Sequence, residues 1–268
     1  MKKLKFSSII TLFILIFLFF PSTTFSDDNF FEWQIGEELT YKVKWSFIRL
    51  GTLKLQVVDT LTIDNTFVYH IKLFIDSNPL IFFVNMHSVY ESFIDDKFRL
   101  NLFLADEEID NVTYKTEYRF NYVDSLIHIN MTDVNDPTKT IVRDDTLNET
   151  ILDGTTMIFY ARANVAYTKS DTITSFFEAK RGKVVINFKG KNGKIKISAL
   201  QSPMETFYLD GIIHMKGIAG LTGPFKGWFA LDEQRPPLKA ELKVFIGHVK
   251  VELEDWKKWS PKLIEIQN

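Results

Sequence analysis

The chain has 268 residues, of which 46% are hydrophobic and 25% charged, with a formal net charge of −2 and no cysteine. The apolar content excludes a globally disordered chain, and the absence of cysteine excludes disulfides, thiolate metal sites and a cysteine nucleophile. Because basic residues are not in excess, we expect no nucleic-acid partner.

The first 26 residues have the layout of a secretory signal peptide. Three lysines within the first five residues precede a largely apolar run over residues 9–20, and Thr24 and Ser26 provide small residues before a cleavage site at Asp27. The run is shorter than the roughly 20 apolar residues of a spanning helix, which favours a cleaved signal over an uncleaved anchor. We therefore expect an exported protein of the periplasm or cell envelope, with no membrane span after signal removal.

The rest of the chain shows the period-two alternation of β-strands. Tyr41, Val43 and Trp45 alternate with polar residues, and the same alternation recurs over residues 52–57 and 114–122. One apolar and one polar face indicate an antiparallel sheet. The pattern predicts an all-β domain over residues 27–258, with a curved or closed sheet like a β-roll or barrel. Residues 259–268 are predicted to form a tail.

Two local signals interrupt this pattern. Asp153 precedes a stretch rich in small and apolar residues, which predicts one short central helix near 154–166. That helix would divide two β lobes, about 27–150 and 168–258. Further along, Asn192-Gly193 tolerates positive φ angles and predicts a two-residue hairpin turn.

Three stretches in order carry a family resemblance. They are residues 36–45 (GEELTYKVKW), 153–162 (DGTTMIFYAR) and 227–237 (GWFALDEQRPP). Together they resemble the DUF3108 family of exported bacterial proteins, over about residues 30–255. The resemblance implies an exported, β-rich envelope protein and no established activity.

The common catalytic motifs are absent from the sequence. It contains no Gly-x-Ser-x-Gly elbow and no glycine-rich phosphate loop. Its five histidines lack the spacing of metal ligands. We therefore expect no metal, no cofactor and no enzymatic activity, and an unrecognised hydrolase is the least favoured alternative.

Aromatic residues make up 15% of the chain, which indicates either a phenylalanine-biased core or a sheet lined with aromatics around an apolar groove. The second possibility favours a binding module for a lipid or acyl chain. The alternative is a structural protein that engages a protein partner of the envelope. For the four charged candidates the favoured role is structural, to anchor the helix and a tight turn through ion pairs and capping bonds, and ligand contact is the alternative. The candidate ligand-binding residues are Tyr41, Trp45, Phe82, Phe83, Asp153, Arg162, Asp232 and Arg235.

Overall fold

The computed structural model describes residues 31–81, 85–109, 112–244 and 247–261. Within these ranges fifteen strands form one sheet, and one α-helix, α1 (Gly154–Asn164), lies between the ninth and tenth strands. Two short 3-10 turns cover Pro137–Lys139 and Ile218–Gly220. The strands are β1 (Glu38–Trp45), β2 (Ile48–Ile63), β3 (Thr66–Ser77), β4 (Met86–Ile94), β5 (Leu100–Ile109), β6 (Val112–Asn121), β7 (Leu126–Asp133), β8 (Ile141–Thr146), β9 (Ile151–Leu152), β10 (Thr168–Phe177), β11 (Lys180–Ile195), β12 (Met204–Ile213), β13 (Gly223–Ala230), β14 (Pro237–Val244) and β15 (Gly247–Lys257).

The sheet consists of two meanders joined along their first and last strands. Its order is β8-β7-β6-β5-β4-β3-β2-β1-β15-β14-β13-β12-β11-β10-β9. The antiparallel pair of β1 and β15 joins the meanders, and only β9 and β10 pair in parallel among the described strands. The prediction of a mostly β fold with an antiparallel sheet and one helix is confirmed, and the two lobes share a single sheet.

Contacts between strands far apart in this order show that the sheet is curved. Tyr118 on β6 packs edge-on against Phe176 on β10, with ring centroids 5.1 Å apart. Its hydroxyl accepts a hydrogen bond of 3.0 Å from the backbone N–H of Ala179. Within the described residues, β8 and β9 at the two ends of the order do not pair. The closed alternative is therefore not confirmed, since the curved sheet does not close into a barrel.

The predicted hairpin at Asn192-Gly193 is wrong. Strand β11 continues through it to Ile195 and keeps pairing with β12, with register shifts after Phe188 and after Lys191. Gly193 does adopt the positive φ of 64°, as does Gly190 at 65°. The positive φ angles of Gly190 and Gly193 therefore occur at two bulges within a long strand, and the chain does not reverse there.

The predicted helix is confirmed at its start. The Asp153 Oδ1 atom accepts hydrogen bonds from the backbone N–H groups of Thr155 (2.6 Å) and Thr156 (2.9 Å), which would otherwise lack partners in the first turn.

At the other end of the domain, Trp259 falls in the predicted tail but is buried, and its Nε1–H donates to Asp232 Oδ2 over 2.8 Å. The described part of the chain contains no helix both long and apolar enough to cross a bilayer.

Candidate binding cavity

An apolar cavity of about 390 Å³ lies between α1 and the curved sheet. Both meanders contribute to its wall, together with one side of α1. The apolar lining residues are Tyr41, Val43, Leu50, Leu53, Leu55, Leu73, Ile75, Met86 and Phe103 from the first meander; Met157, Ile158 and Ala161 from α1; and Phe176, Phe177, Val184, Ile186, Leu209, Ile213, Met215, Ile218, Leu221, Phe225, Phe229, Pro237, Ala240, Leu242, Val244, Val249 and Val251 from the second part of the chain.

Strand alternation makes much of this wall apolar. On β14, Ala240 and Leu242 line the cavity, whereas Glu241 and Lys243 do not, as expected for side chains that alternate between the two faces. Lys239 also borders the cavity and departs from this alternation. Ala240 is paired with Gly227 on the neighbouring strand. Two adjacent positions of the wall therefore carry almost no side chain. The space over Gly227 is filled by Phe229 and Leu209, which a Cβ there would approach to 3.1 and 3.2 Å.

Five described residues with hydroxyl groups interrupt the apolar wall: Tyr41, Thr52, Ser77, Thr155 and Ser175. Tyr41 on β1 and Thr155 on α1 both line the cavity, and their side chains are only 6% and 1% exposed. Within the described residues, neither hydroxyl has a hydrogen-bond partner. Burial raises the pKa of Tyr41 well above its usual value, while the nearby Arg162 opposes that shift. The phenol is therefore protonated at physiological pH, and both hydroxyls are able to donate or accept a hydrogen bond.

Asp153 also borders the cavity, at the start of α1. In addition to its two backbone donors, its Oδ2 atom accepts from the Thr156 hydroxyl over 2.9 Å. Burial raises the pKa of Asp153, and the hydrogen bonds that it accepts oppose this rise. The predicted capping role of Asp153 is thus observed, and its carboxyl group is a polar group in a largely apolar wall.

Arg162 is not among the lining residues but holds α1 against the segment before β1. Its NH1 and NH2 groups donate to Glu37 Oε2 (2.5 Å) and Oε1 (2.8 Å), and NH2 also donates to the Gln234 carbonyl over 2.8 Å. Its guanidinium carbon lies 5.1 Å from the ring centres of both Phe31 and Phe159. This bidentate buried pair, packed between aromatic rings, has the geometry of a structural anchor.

Asp232 and Arg235 are also absent from the cavity lining, and they fix the turn between β13 and β14. Asp232 Oδ1 accepts from the backbone N–H of Arg235 over 2.8 Å. Arg235 adopts a positive φ of 50°, and its NH1 group donates to the Ala163 carbonyl at the end of α1 over 3.1 Å. These contacts bind the turn to the C-terminal end of the helix, where free carbonyl groups favour a cation.

The structure thus brings together Tyr41 and Asp153 at the cavity but not the other described candidates. Trp45 is 39% exposed and is not a lining residue, and Phe82 and Phe83 lie outside the described residues. Sequence reasoning missed Glu37, the partner of Arg162, and Thr155. Both lie inside the stretches that carry the family resemblance, and this location was the one feature of the sequence that could have marked them as candidates.

The family model described as "Protein of unknown function (DUF3108)" matches residues 40–254. The chain belongs to the DUF3108 family. A search of curated proteins finds no match.

Among solved structures, this DUF3108 protein is similar to a beta-barrel-like protein of the domain of unknown function DUF1849 from Brucella abortus. The two share 8% identity over 84% of this chain and 98% of the other, with a TM-score of 0.53. Two further structures have lower TM-scores. A presumptive lipoprotein from Parabacteroides distasonis ATCC 8503 has 10% identity, covers 85% of this chain and 97% of its own, and gives 0.37. A presumptive exported protein with a YmcC-like fold from Bacteroides fragilis NCTC 9343 is 9% identical. The match covers 85% of this chain and 99% of the other, with a TM-score of 0.34. The first similarity concerns the fold alone.

Proposed function

We propose that this DUF3108 protein is a non-catalytic binding module for an apolar ligand, a lipid or an acyl chain. The observation that carries the proposal is the apolar cavity of about 390 Å³, a volume within the roughly 300–1,000 Å³ of small-molecule pockets. Each methylene group that moves from water into such a wall contributes about 0.8 kcal/mol. An alkyl chain therefore gains free energy when it moves from water into this cavity.

We further propose that the module works after export, in the periplasm or cell envelope. The support is the layout of the first 26 residues, which lie outside the described part of the chain. On this proposal the mature polypeptide begins at Asp27, which its mass tests directly.

Filling the cavity should weaken ligand binding. Ala240 lines the wall next to Gly227, so Ala240→Phe projects a ring into the space that an alkyl chain would occupy. We expect the affinity for Nile red, an uncharged apolar fluorescent dye, to fall at least about tenfold, the equivalent of roughly 1.4 kcal/mol. A fluorescence titration of the purified protein measures this change.

Lys243→Phe is the matched control, because it adds the same ring to the same strand at an exposed position outside the lining. It should leave dye affinity unchanged, and the thermal melting of both variants shows whether they fold. Equal dye binding by wild type and a folded Ala240→Phe variant would remove the cavity from the proposal. The alternative envelope partner stays a prediction of the sequence, and binding to such a partner on an outer surface should survive this substitution.

A further inference from the structure

Three exposed apolar side chains lie at one end of the sheet, at the turn between β1 and β2 and in the segment that follows β3. Trp45, Phe47 and Leu80 are 39%, 89% and 86% exposed, and none of them lines the cavity. Single exposed apolar residues are common on folded proteins, but a group of them on adjoining turns is typical of an interaction site. We call Trp45, Phe47 and Leu80 the apolar tip.

Hydrogen bonds hold the two parts of the apolar tip side by side. The Asn78 backbone N–H donates to the Leu50 carbonyl over 2.7 Å, and the Asn78 Nδ2 group donates to the Arg49 carbonyl over 2.9 Å. The Asn78 Oδ1 atom in turn accepts from the Leu80 N–H over 3.0 Å. The segment that carries Leu80 is thus fixed against the first residues of β2, which directly follow Phe47.

The cavity extends to the same end of the sheet. Because neighbouring strands are antiparallel, β1 and β3 end there, and β2, β4 and β15 begin there. The cavity lining includes Ser77 at the end of β3, Met86 at the start of β4 and Val244 at the end of β14. A surface that contacts the apolar tip therefore lies close to this end of the cavity.

Basic side chains flank the apolar tip on the side of the second meander. Lys44 on β1 is paired in register with Lys250 on β15, and Lys243 lies near the end of the adjacent strand β14. Lys243 and Lys250 are exposed, and Lys44 is half-buried. These three lysines give this side of the tip a positive charge that complements an anionic surface.

Acidic side chains also occur at this end, but they are placed differently. Glu241, which is opposite Lys250 in register, is paired with Lys239, whose Nζ lies 3.0 Å from its Oε1 atom. Asp76 belongs to β3 on the other side of the tip, where its Oδ1 atom lies 3.0 Å from His87 Nδ1. The positive charge is therefore concentrated on the side of β1, β14 and β15.

The exposed apolar residues at the opposite end of the sheet have acidic neighbours. Phe67 at the start of β3 is 54% exposed, and Val123 in the turn after β6 is 94% exposed. Exposed aspartates, Asp64 and Asp124, lie in the turns beside them. An anionic surface repels these carboxylates, so charge distinguishes the two ends.

We infer that the apolar tip docks on the surface of a lipid bilayer that contains anionic phospholipids. Its three side chains enter the boundary between head groups and acyl chains, where the burial of apolar surface is favourable and where an indole ring keeps its N–H near water. The three lysines face the negative head groups. Docking does not require a ligand in the cavity, but on the proposed function it brings the cavity to a source of alkyl chains.

Flotation with phospholipid vesicles tests this docking. The wild-type protein should bind vesicles of equal parts phosphatidylethanolamine and phosphatidylglycerol, and the binding should weaken as salt is added. The double variant Phe47→Ser/Leu80→Ser should bind them at least about tenfold more weakly, the equivalent of roughly 1.4 kcal/mol. Because neither residue lines the cavity, Nile red affinity without vesicles should remain unchanged. All variants share one N-terminus, so a retained leader affects them equally.

Matched controls come from the opposite end of the sheet. Phe67→Ser/Val123→Ser also removes two exposed apolar side chains and should bind vesicles like the wild type.

The lysines have controls of the same kind. Lys243→Gln/Lys250→Gln should weaken binding to the anionic vesicles by about three- to tenfold for each lysine. Lys97 and Lys258 are exposed at the opposite end, and Lys97→Gln/Lys258→Gln should change the affinity less than about twofold, because salt screens charges far from the surface.

Trp45 provides a second measurement, of insertion itself. Among the five tryptophans of the chain, the other four are buried or half-buried. Phospholipids brominated on their acyl chains should quench the fluorescence of the vesicle-bound wild-type protein. Trp45→Phe should remove most of this quenching while the protein still floats with the vesicles.

The possible failures are distinguishable. If the wild-type protein does not bind the vesicles, docking on a bilayer is wrong, and the apolar tip is left to a protein partner. If the tip variant and the opposite-end variant lose affinity equally, or if Trp45→Phe is quenched like the wild type, then adsorption does not use the tip and the inference is overturned. Nile red affinity decides the proposed binding function separately in each case.

Discussion

Arg162→Met is expected to lower the free energy of unfolding by about 3–5 kcal/mol, because it leaves the Glu37 carboxylate buried without its partner. The wild-type pair is bidentate, and both side chains are almost fully buried. Methionine retains much of the apolar contact with the neighbouring rings, so the loss reports mainly the unpaired charge. Urea denaturation followed by circular dichroism measures the change.

A second substitution separates the charge from the packing. In the double variant Glu37→Gln/Arg162→Met no uncompensated charge remains, and we expect it to recover more than half of the stability lost in Arg162→Met. Arg49 and Glu254 form an exposed pair with a nitrogen–oxygen distance of 2.7 Å, and Arg49→Met should cost less than about 1 kcal/mol. If the losses of unfolding free energy in Glu37→Gln and Arg162→Met simply add up in the double variant, the two side chains do not interact, and the pairing is contradicted.

Phe159→Ala is expected to lower the free energy of unfolding by about 3–5 kcal/mol, the cost of truncating a fully buried phenylalanine. Phe159 on α1 has no exposed surface and stacks on Trp33, with ring centroids 4.8 Å apart. Trp33 in turn stacks on Tyr69 of β3 at 4.3 Å. Removing the ring therefore disconnects the helix from an aromatic stack on the first meander as well as opening a void.

The same substitution at an exposed ring provides the control. Phe47 in the turn between β1 and β2 is 89% exposed, so Phe47→Ala should change the unfolding free energy by no more than about 0.5 kcal/mol. Denaturant titrations of both variants, with equal slopes, allow a direct comparison. A Phe159→Ala variant as stable as Phe47→Ala would show that the helix does not depend on this stack.

Local signals predicted much of the fold correctly. The alternation along single strands predicted the sheet, and the capping residue Asp153 predicted the start of α1. Both predictions succeeded because strand alternation and helix capping depend only on neighbouring residues. The hairpin at Asn192-Gly193 failed for the opposite reason: the sequence shows that positive φ is tolerated, but pairing with β12 decides whether the chain turns or bulges. Trp45 failed similarly, since the register shift after Val43 ends the alternation that placed it beside Tyr41.

The sequence indicated an apolar binding site in general terms, but it did not predict which residues line the cavity. Its wall depends on β1 pairing with β15, strands at opposite ends of the chain, and on Ala240 lying opposite Gly227. No local pattern fixes these long-range registers. The aromatic content suggested a groove, but several aromatic residues, among them Trp33 and Phe159, form the stack on the helix instead of lining the cavity.

Native mass spectrometry of the protein recovered from the cells that produce it tests the central claim most directly. We predict a polypeptide that begins at Asp27 and carries a bound small molecule, released by organic solvent and identified as a compound with an alkyl chain. An Ala240→Phe variant prepared identically should carry none. Wild-type protein recovered without any bound molecule, or with the same content as the filled variant, would contradict the account.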